Sequence, residues 1–159
     1  MTDVMLDLPD EAATARLGAA LAGLLRVGDV LALRGDLGAG KTALARALIR
    51  ARTGEADAEV PSPTFTLLQV YDGADGLPIA HYDLYRLERP DDVLELDFDD
   101  ALATGATLIE WPDRLGPLLP RDRLDVTLAI AGATARRVTL TPAGAWAGRL
   151  PEVARHVGA

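Results

Sequence analysis

Cysteine is absent from the chain, so neither a disulfide framework nor a thiolate metal site can form. Asparagine is absent too, while serine and lysine each occur once, as Ser62 and Lys41. No apolar run approaches the ~20 residues of a membrane-spanning helix. Met1-Thr2-Asp3-Val4 lacks the basic start and apolar core of a secretion signal. These absences lead us to expect a cytoplasmic protein with no membrane partner. The shortage of lysine is not a shortage of cations, because 16 Lys and Arg are present and all but one are arginine. Even so the net charge is −8, the arginines are dispersed, and Asp91 to Asp100 holds five Asp and one Glu. A protein that grips nucleic acid by itself usually carries a basic face. Independent nucleic-acid binding is therefore not expected, although a role beside a nucleic-acid enzyme stays open.

The one lysine lies in Gly35-Asp36-Leu37-Gly38-Ala39-Gly40-Lys41-Thr42, which meets G-x-x-x-x-G-K-[ST] at every fixed position. Glycines let successive backbone N–H groups converge on phosphates, and a following helix adds the positive end of its dipole. A compact ammonium reaches between β- and γ-phosphates where a planar guanidinium fits poorly. The hydroxyl of Thr42 is placed to ligate Mg²⁺. Asp36, Leu37, Gly38, Ala39, Gly40, Lys41 and Thr42 are thus expected to hold a nucleotide. The guanine-reading N-K-x-D segment of small GTPases cannot exist without asparagine, so ATP is expected rather than GTP.

Along the chain, Val4 to Leu8 alternates like an edge strand, and Asp10 precedes a leucine-periodic run at helical spacing that closes near Gly28. Val30 to Leu33 reads as a buried strand feeding the phosphate loop, and Lys41 to Arg52 as a helix stopped by Gly54. Phe65 to Tyr71 and Leu77 to Asp83 form a hairpin signal around Asp72-Gly73-Ala74-Asp75-Gly76. Asp91 to Ala103 suggests one or two short acidic helices, and Ala106 to Glu110 a buried strand stopped by Pro112. Leu124 to Ile130 and Arg136 to Thr141 give a second hairpin around Gly132. From Ala143 to Val157 the tail reads as partly helical and broken by Pro151. The expected fold is α/β, a P-loop-like mixed sheet with a parallel core, flanking helices and appended antiparallel hairpins. Residues 1–159 are expected to form a single domain of this kind, with no function read into 143–159.

Mg²⁺ also wants a carboxylate at the end of a neighbouring strand. Glu110 is the first candidate, delivered there by Leu108-Ile109, and Asp83 is the second; each could instead be an ordinary turn carboxylate. Ser62-Pro63-Thr64 follows the phosphate-loop helix, where many P-loop enzymes sense the γ-phosphate through a hydroxyl. By spacing alone it reads as a proline-anchored turn. His81, a lone histidine in a strand, reads first as a packed core residue. Trp111 could serve a nucleotide edge, a partner surface or the core.

Gly35 to Thr42, Ser62-Pro63-Thr64-Phe65-Thr66-Leu67, His81-Tyr82-Asp83-Leu84-Tyr85-Arg86-Leu87 and Glu110-Trp111-Pro112, in this order and spacing, resemble the TsaE family. Leu8 to Thr14 resembles the family's opening segment, and the likeness spans about residues 4 to 141. The resemblance implies an ATPase of tRNA threonylcarbamoyladenosine synthesis that works with TsaD and TsaB and meets tRNA only through that complex. It implies that Thr42 and Glu110 share Mg²⁺, that Lys41, Asp83 and Glu110 are catalytic, and that Asp83 acts near the γ-phosphate or its attacking water. It further implies a nucleotide-sensing loop at Ser62 and Thr64, Trp111 beside the site, and Glu11 or Thr14 near adenine. The family commonly has a glycine where this chain has Asp97; a glycine there implies a tight backbone turn or a close contact, which leaves the path of residues 94 to 100 open. The alternatives are a small P-loop phosphotransferase acting on a metabolite, with Asp83 and Arg86 holding the acceptor, and a nucleotide-gated adaptor that does not hydrolyse.

Overall fold

The structure, a computed structural model, describes residues 3–158. Met1 and Thr2, used above in reading the N-terminus, and Ala159 at the end of the tail lie outside the described residues. Among the described residues seven strands form one sheet: β1 (Val4–Leu8), β2 (Val30–Arg34), β3 (Leu68–Asp72), β4 (Pro78–Asp83), β5 (Ala106–Glu110), β6 (Arg123–Ile130) and β7 (Arg136–Ala143). Their order is β1-β7-β6-β2-β5-β4-β3. β2 runs parallel to both β5 and β6, and β4 runs parallel to β5, while β1, β7 and β3 join antiparallel. This is the expected mixed sheet with a parallel core. The central strands β2 and β5 are mostly apolar and buried along nearly their whole length, because both of their faces are covered.

One face is covered by α1 (Glu11–Leu24), α2 (Lys41–Thr53) and α4 (Leu150–Gly158), whose Leu17, Leu21, Leu44, Leu48 and Val153 pack on Leu31, Leu33 and Leu108. The other face is closed by a 3-10 turn (Pro90–Leu96), α3 (Phe98–Thr104) and a second 3-10 turn (Pro112–Leu118), through Val93, Phe98 and Leu115. Among the described residues no helix is long and apolar enough to cross a membrane.

Several boundaries differ from the sequence expectation. α1 stops at Leu24 rather than near Gly28, because Leu25 is already extended and Gly28 (φ 88°) belongs to the turn into β2. β3 begins at Leu68, since Leu67 N–H bonds Pro63 O at 2.7 Å and closes residues 63–67 into a turn. Pro151 does not break the tail. It occupies the first turn of α4, where its missing N–H would have had no helical partner. A 3-10 turn (Gly144–Gly148) leads into that helix, and Arg149 anchors it by donating to Asp29 Oδ2 at 2.6 Å and Leu24 O at 3.2 Å. Asp97 adopts the left-handed conformation (φ 55°, ψ 33°) between the acidic turn and α3. The tight turn implied by the family's glycine is therefore present, carried by a residue type that tolerates the region better than most.

Candidate active site

Parallel strands bring their carboxyl ends to one edge, where open α/β sheets place ligand sites. Asp83 pairs with Glu110 across β4 and β5, and Leu33 pairs with Glu110 across β2 and β5. The loop leaving β2 thus begins beside both carboxylates. Gly35 to Gly40 turns through positive φ at Gly35 (144°), Gly38 (81°) and Gly40 (106°) before α2 starts at Lys41. At Gly35 the requirement is also spatial, because a Cβ would lie 2.5 Å from Leu128 O.

Arg136, the first residue of β7, grips the back of this loop. Its Nε donates to Ala39 O at 2.9 Å and its Nη2 to Gly38 O at 3.3 Å, while Nη1 donates to Gly132 O and Ala135 O in the hairpin turn. In a trans peptide the N–H points away from the C=O. Holding the carbonyls of Gly38 and Ala39 outward therefore turns the N–H groups of Ala39 and Gly40 the other way, into the loop. Nothing in the sequence marked Arg136, one arginine among many.

Lys41 is 5% exposed. Its ammonium donates to Gly35 O and, at 3.1 Å, to Asp36 O, and it lies 4.1 Å from the centroid of the Trp111 ring. Burial lowers its pKa below the ordinary lysine value, with Glu110, Asp83 and Asp36 opposing the shift. Trp111 takes a left-handed conformation (φ 60°, ψ 53°), uncommon for a bulky residue and frequent at functional sites. That turn sends the chain from β5 into the following 3-10 segment and lays the indole against Lys41. Tyr85 packs behind it, its ring tilted 53° to the indole at 5.0 Å between centroids.

Thr42 Oγ1 donates to Glu110 Oε1 at 2.8 Å, and Glu110 is 2% exposed. Its other oxygen, Oε2, is 2.6 Å from Nε2 of the fully buried His81. Asp83 Oδ2 accepts from Ser62 Oγ at 3.3 Å and Thr64 Oγ1 at 3.2 Å, and its Oδ1 accepts from Tyr85 N–H at 3.1 Å. Seven residues singled out from the sequence, Lys41, Thr42, Ser62, Thr64, Asp83, Glu110 and Trp111, thus meet at one edge of the sheet. Leu37, at the loop's tip, points outward and is 68% exposed.

Glu11 lies elsewhere. With Thr14 it lines a cavity of about 530 Å³ on the far side of Gly40, bounded also by Ala43, Thr134 and Arg136. That volume falls in the range of small-molecule sites, about 300–1,000 Å³. The two groups of residues adjoin at Ala39 and Gly40, as phosphates and base must if one nucleotide spans both.

The sequence model of one family, Threonylcarbamoyl adenosine biosynthesis protein TsaE, matches residues 8–138. The chain is similar to proteins named tRNA threonylcarbamoyladenosine biosynthesis protein TsaE in several bacteria. That of Bacillus subtilis is 40% identical over 138 residues, covering 86% of this chain and 82% of the relative. That of Streptomyces coelicolor is 41% identical over 137 residues, covering 80% and 89%. That of Rickettsia bellii is 37% identical over 134 residues, covering 84% and 92%. Among solved structures, the crystal structure of Bacillus subtilis YdiB matches with a TM-score of 0.79 at 28% identity, covering 98% of this chain and 96% of that one.

Proposed function

Because the chain belongs to the TsaE family of tRNA threonylcarbamoyladenosine biosynthesis, we propose that it binds ATP with Mg²⁺ and hydrolyses it in support of a TsaD–TsaB complex. The supporting observation is the 2.8 Å contact of Thr42 with Glu110 at the mouth of a complete phosphate loop. A hydroxyl and a carboxylate offer hard oxygen donors, which suit Mg²⁺, an ion that takes one or two carboxylates and leaves other positions to phosphates and water. When bound, the metal neutralises charge on the β- and γ-oxygens. Thr42 and Glu110 would hold it.

The remaining steps fall to the protein's own groups. Lys41 exchanges the carbonyls of Gly35 and Asp36 for phosphate oxygens, with the Trp111 ring limiting water around the ammonium. Backbone N–H groups of the loop take the phosphates, braced by Arg136. Asp83 orients the attacking water. Ser62 and Thr64, which here donate to Asp83, turn their hydroxyls toward the γ-phosphate. Glu11 and Thr14 face the adenine side of the cavity. With a net charge of −8, the protein reaches tRNA through the complex and not by its own surface.

ATP hydrolysis measured alone and with TsaD and TsaB tests this reading. Turnover should be slow alone and rise in the complex, and an unchanged rate with both partners present would remove the proposal. Glu110→Gln serves as the control, because it should retain nucleotide while hydrolysis falls at least tenfold.

A further inference from the structure

His81 does something that a core residue has no need to do. It sits on β4 two positions before Asp83, on the sheet face covered by α2, opposite Gln69 of β3 and Leu108 of β5. It is fully buried, and among the described residues its Nδ1 has no hydrogen-bond partner. Burying a bare polar atom is unfavourable, and a leucine would fill the same space without that cost. Its other nitrogen, Nε2, lies 2.6 Å from Glu110 Oε2. The tautomer follows from the neighbours. A proton on Nε2 donates to the carboxylate and leaves Nδ1 as a bare lone pair. A proton on Nδ1 alone would orphan a buried N–H and set a lone pair against a carboxylate.

Glu110 is consequently fixed at both ends. Oε1 accepts from Thr42 on the phosphate-loop helix, and Oε2 accepts from His81 on the neighbouring strand. A carboxylate held at one oxygen can swing about its last bond, whereas one held at both presents Oε1 in a single direction. Partners of this kind, one step behind a metal's ligand, orient that ligand and raise its affinity.

We propose that His81 is a positioning residue for Glu110, setting how tightly the nucleotide site takes a divalent cation without itself touching nucleotide or metal. This rests on the Mg²⁺–nucleotide reading above. The bond reaches Glu110 through Nε2, so a glutamine, whose amide N–H extends about as far, preserves it. The shorter asparagine places its amide near the Nδ1 position and does not.

The test is Mn²⁺ binding to the full chain in the presence of a non-hydrolysable ATP analogue, read from the electron paramagnetic resonance signal of free Mn²⁺. Analogue affinity in EDTA is measured alongside. His81→Leu should leave the metal-free analogue affinity within about twofold and weaken Mn²⁺ about 10- to 100-fold. His81→Gln should recover most of that loss. If His81→Leu fails to fold, His81→Gln and His81→Asn decide instead, with Gln binding Mn²⁺ at least tenfold more tightly than Asn. Mn²⁺ binding by His81→Leu equal to wild type overturns the proposal, as does equal binding by the Gln and Asn variants. A wild-type chain that takes up neither analogue nor Mn²⁺ overturns the nucleotide reading along with it. Wild-type binding that is indifferent to His81 overturns only the role given to His81.

Discussion

The two walls of the site spend their polar atoms differently. On the loop side, from Gly35 to Gly40, the working groups belong to the backbone, and side chains reach them from outside, as Arg136 does at Gly38 and Ala39. On the strand-end side the working groups are the carboxylates of Asp83 and Glu110, and every carboxylate oxygen there has a partner. A backbone wall is set by φ and by how closely chain segments approach. A side-chain wall is set by which partners face one another across strands. The first should therefore fail through added atoms and the second through lost acceptors.

The harshest way to break the loop wall is Gly35→Ala. The added Cβ meets Leu128 O at 2.5 Å while φ stands at 144°, where L-residues are strained. We expect a loss of about 3 kcal/mol, near the upper end for backbone strain, which lowers the melting temperature by roughly 6–12 °C in a chain of this size. Calorimetry or thermal circular dichroism reads it. A change under about 2 °C would mean that the loop can move aside and that the wall is not rigid.

Lys41→Ala sharpens the comparison, because it removes the side chain on which the backbone wall depends. Charge-assisted bonds contribute about 1.5–3 kcal/mol, so nucleotide affinity should fall roughly 10- to 150-fold by titration calorimetry. Alkaline pH should imitate the substitution in the wild type. On the proposed reading Lys41 would bind phosphate in its protonated form, and burial brings its pKa below the ordinary 10.5. Affinity is therefore full well below that lowered value and is lost as pH rises through it, earlier than for an exposed lysine. Lys41→Ala should flatten the dependence.

Asp83→Ala makes the mildest break, on the side-chain wall. Ser62, Thr64 and the Tyr85 N–H lose a shared acceptor, but Ser62 and Thr64 keep their mutual contact at 2.9 Å. A loss of about 1 kcal/mol, or roughly 2–4 °C, is expected together with a fall in hydrolysis. Asp83→Asn should restore the melting temperature and leave hydrolysis low. Recovery of both would assign Asp83 to scaffolding only.

The same division explains what could be read in advance. The loop wall is contiguous, so Gly35 to Thr42 announces itself as a pattern. β5 was legible to the residue, because the apolar run from Ala106 and Pro112 bound it on both sides, and with it Glu110 at its end. Thr42, one partner of Glu110, was already set beside it by the family resemblance, but the other, His81, was not legible as a partner. His81 reaches it only because β4 and β5 run parallel in a register that pairs His81 with Leu108, and register is a property of the whole sheet. Arg136 was hidden for the same reason, since 97 residues separate it from Ala39. Pro151 misled because a proline that breaks a helix interior is at home in a first turn, and only the helix start distinguishes the two.

The position of Lys41 against Trp111 also gives the chain a spectroscopic reporter. With a single lysine in the sequence, selective ¹³C labelling of lysine yields one set of side-chain resonances, assigned without mutagenesis. The ammonium lies 4.1 Å from the indole centroid, so the adjoining methylene protons feel the ring current. Drawing the side chain toward a phosphate changes its position relative to the ring and so moves the peak. Occupancy of the site can thus be followed at the lysine itself, in the intact protein and inside a larger assembly, whether or not hydrolysis occurs.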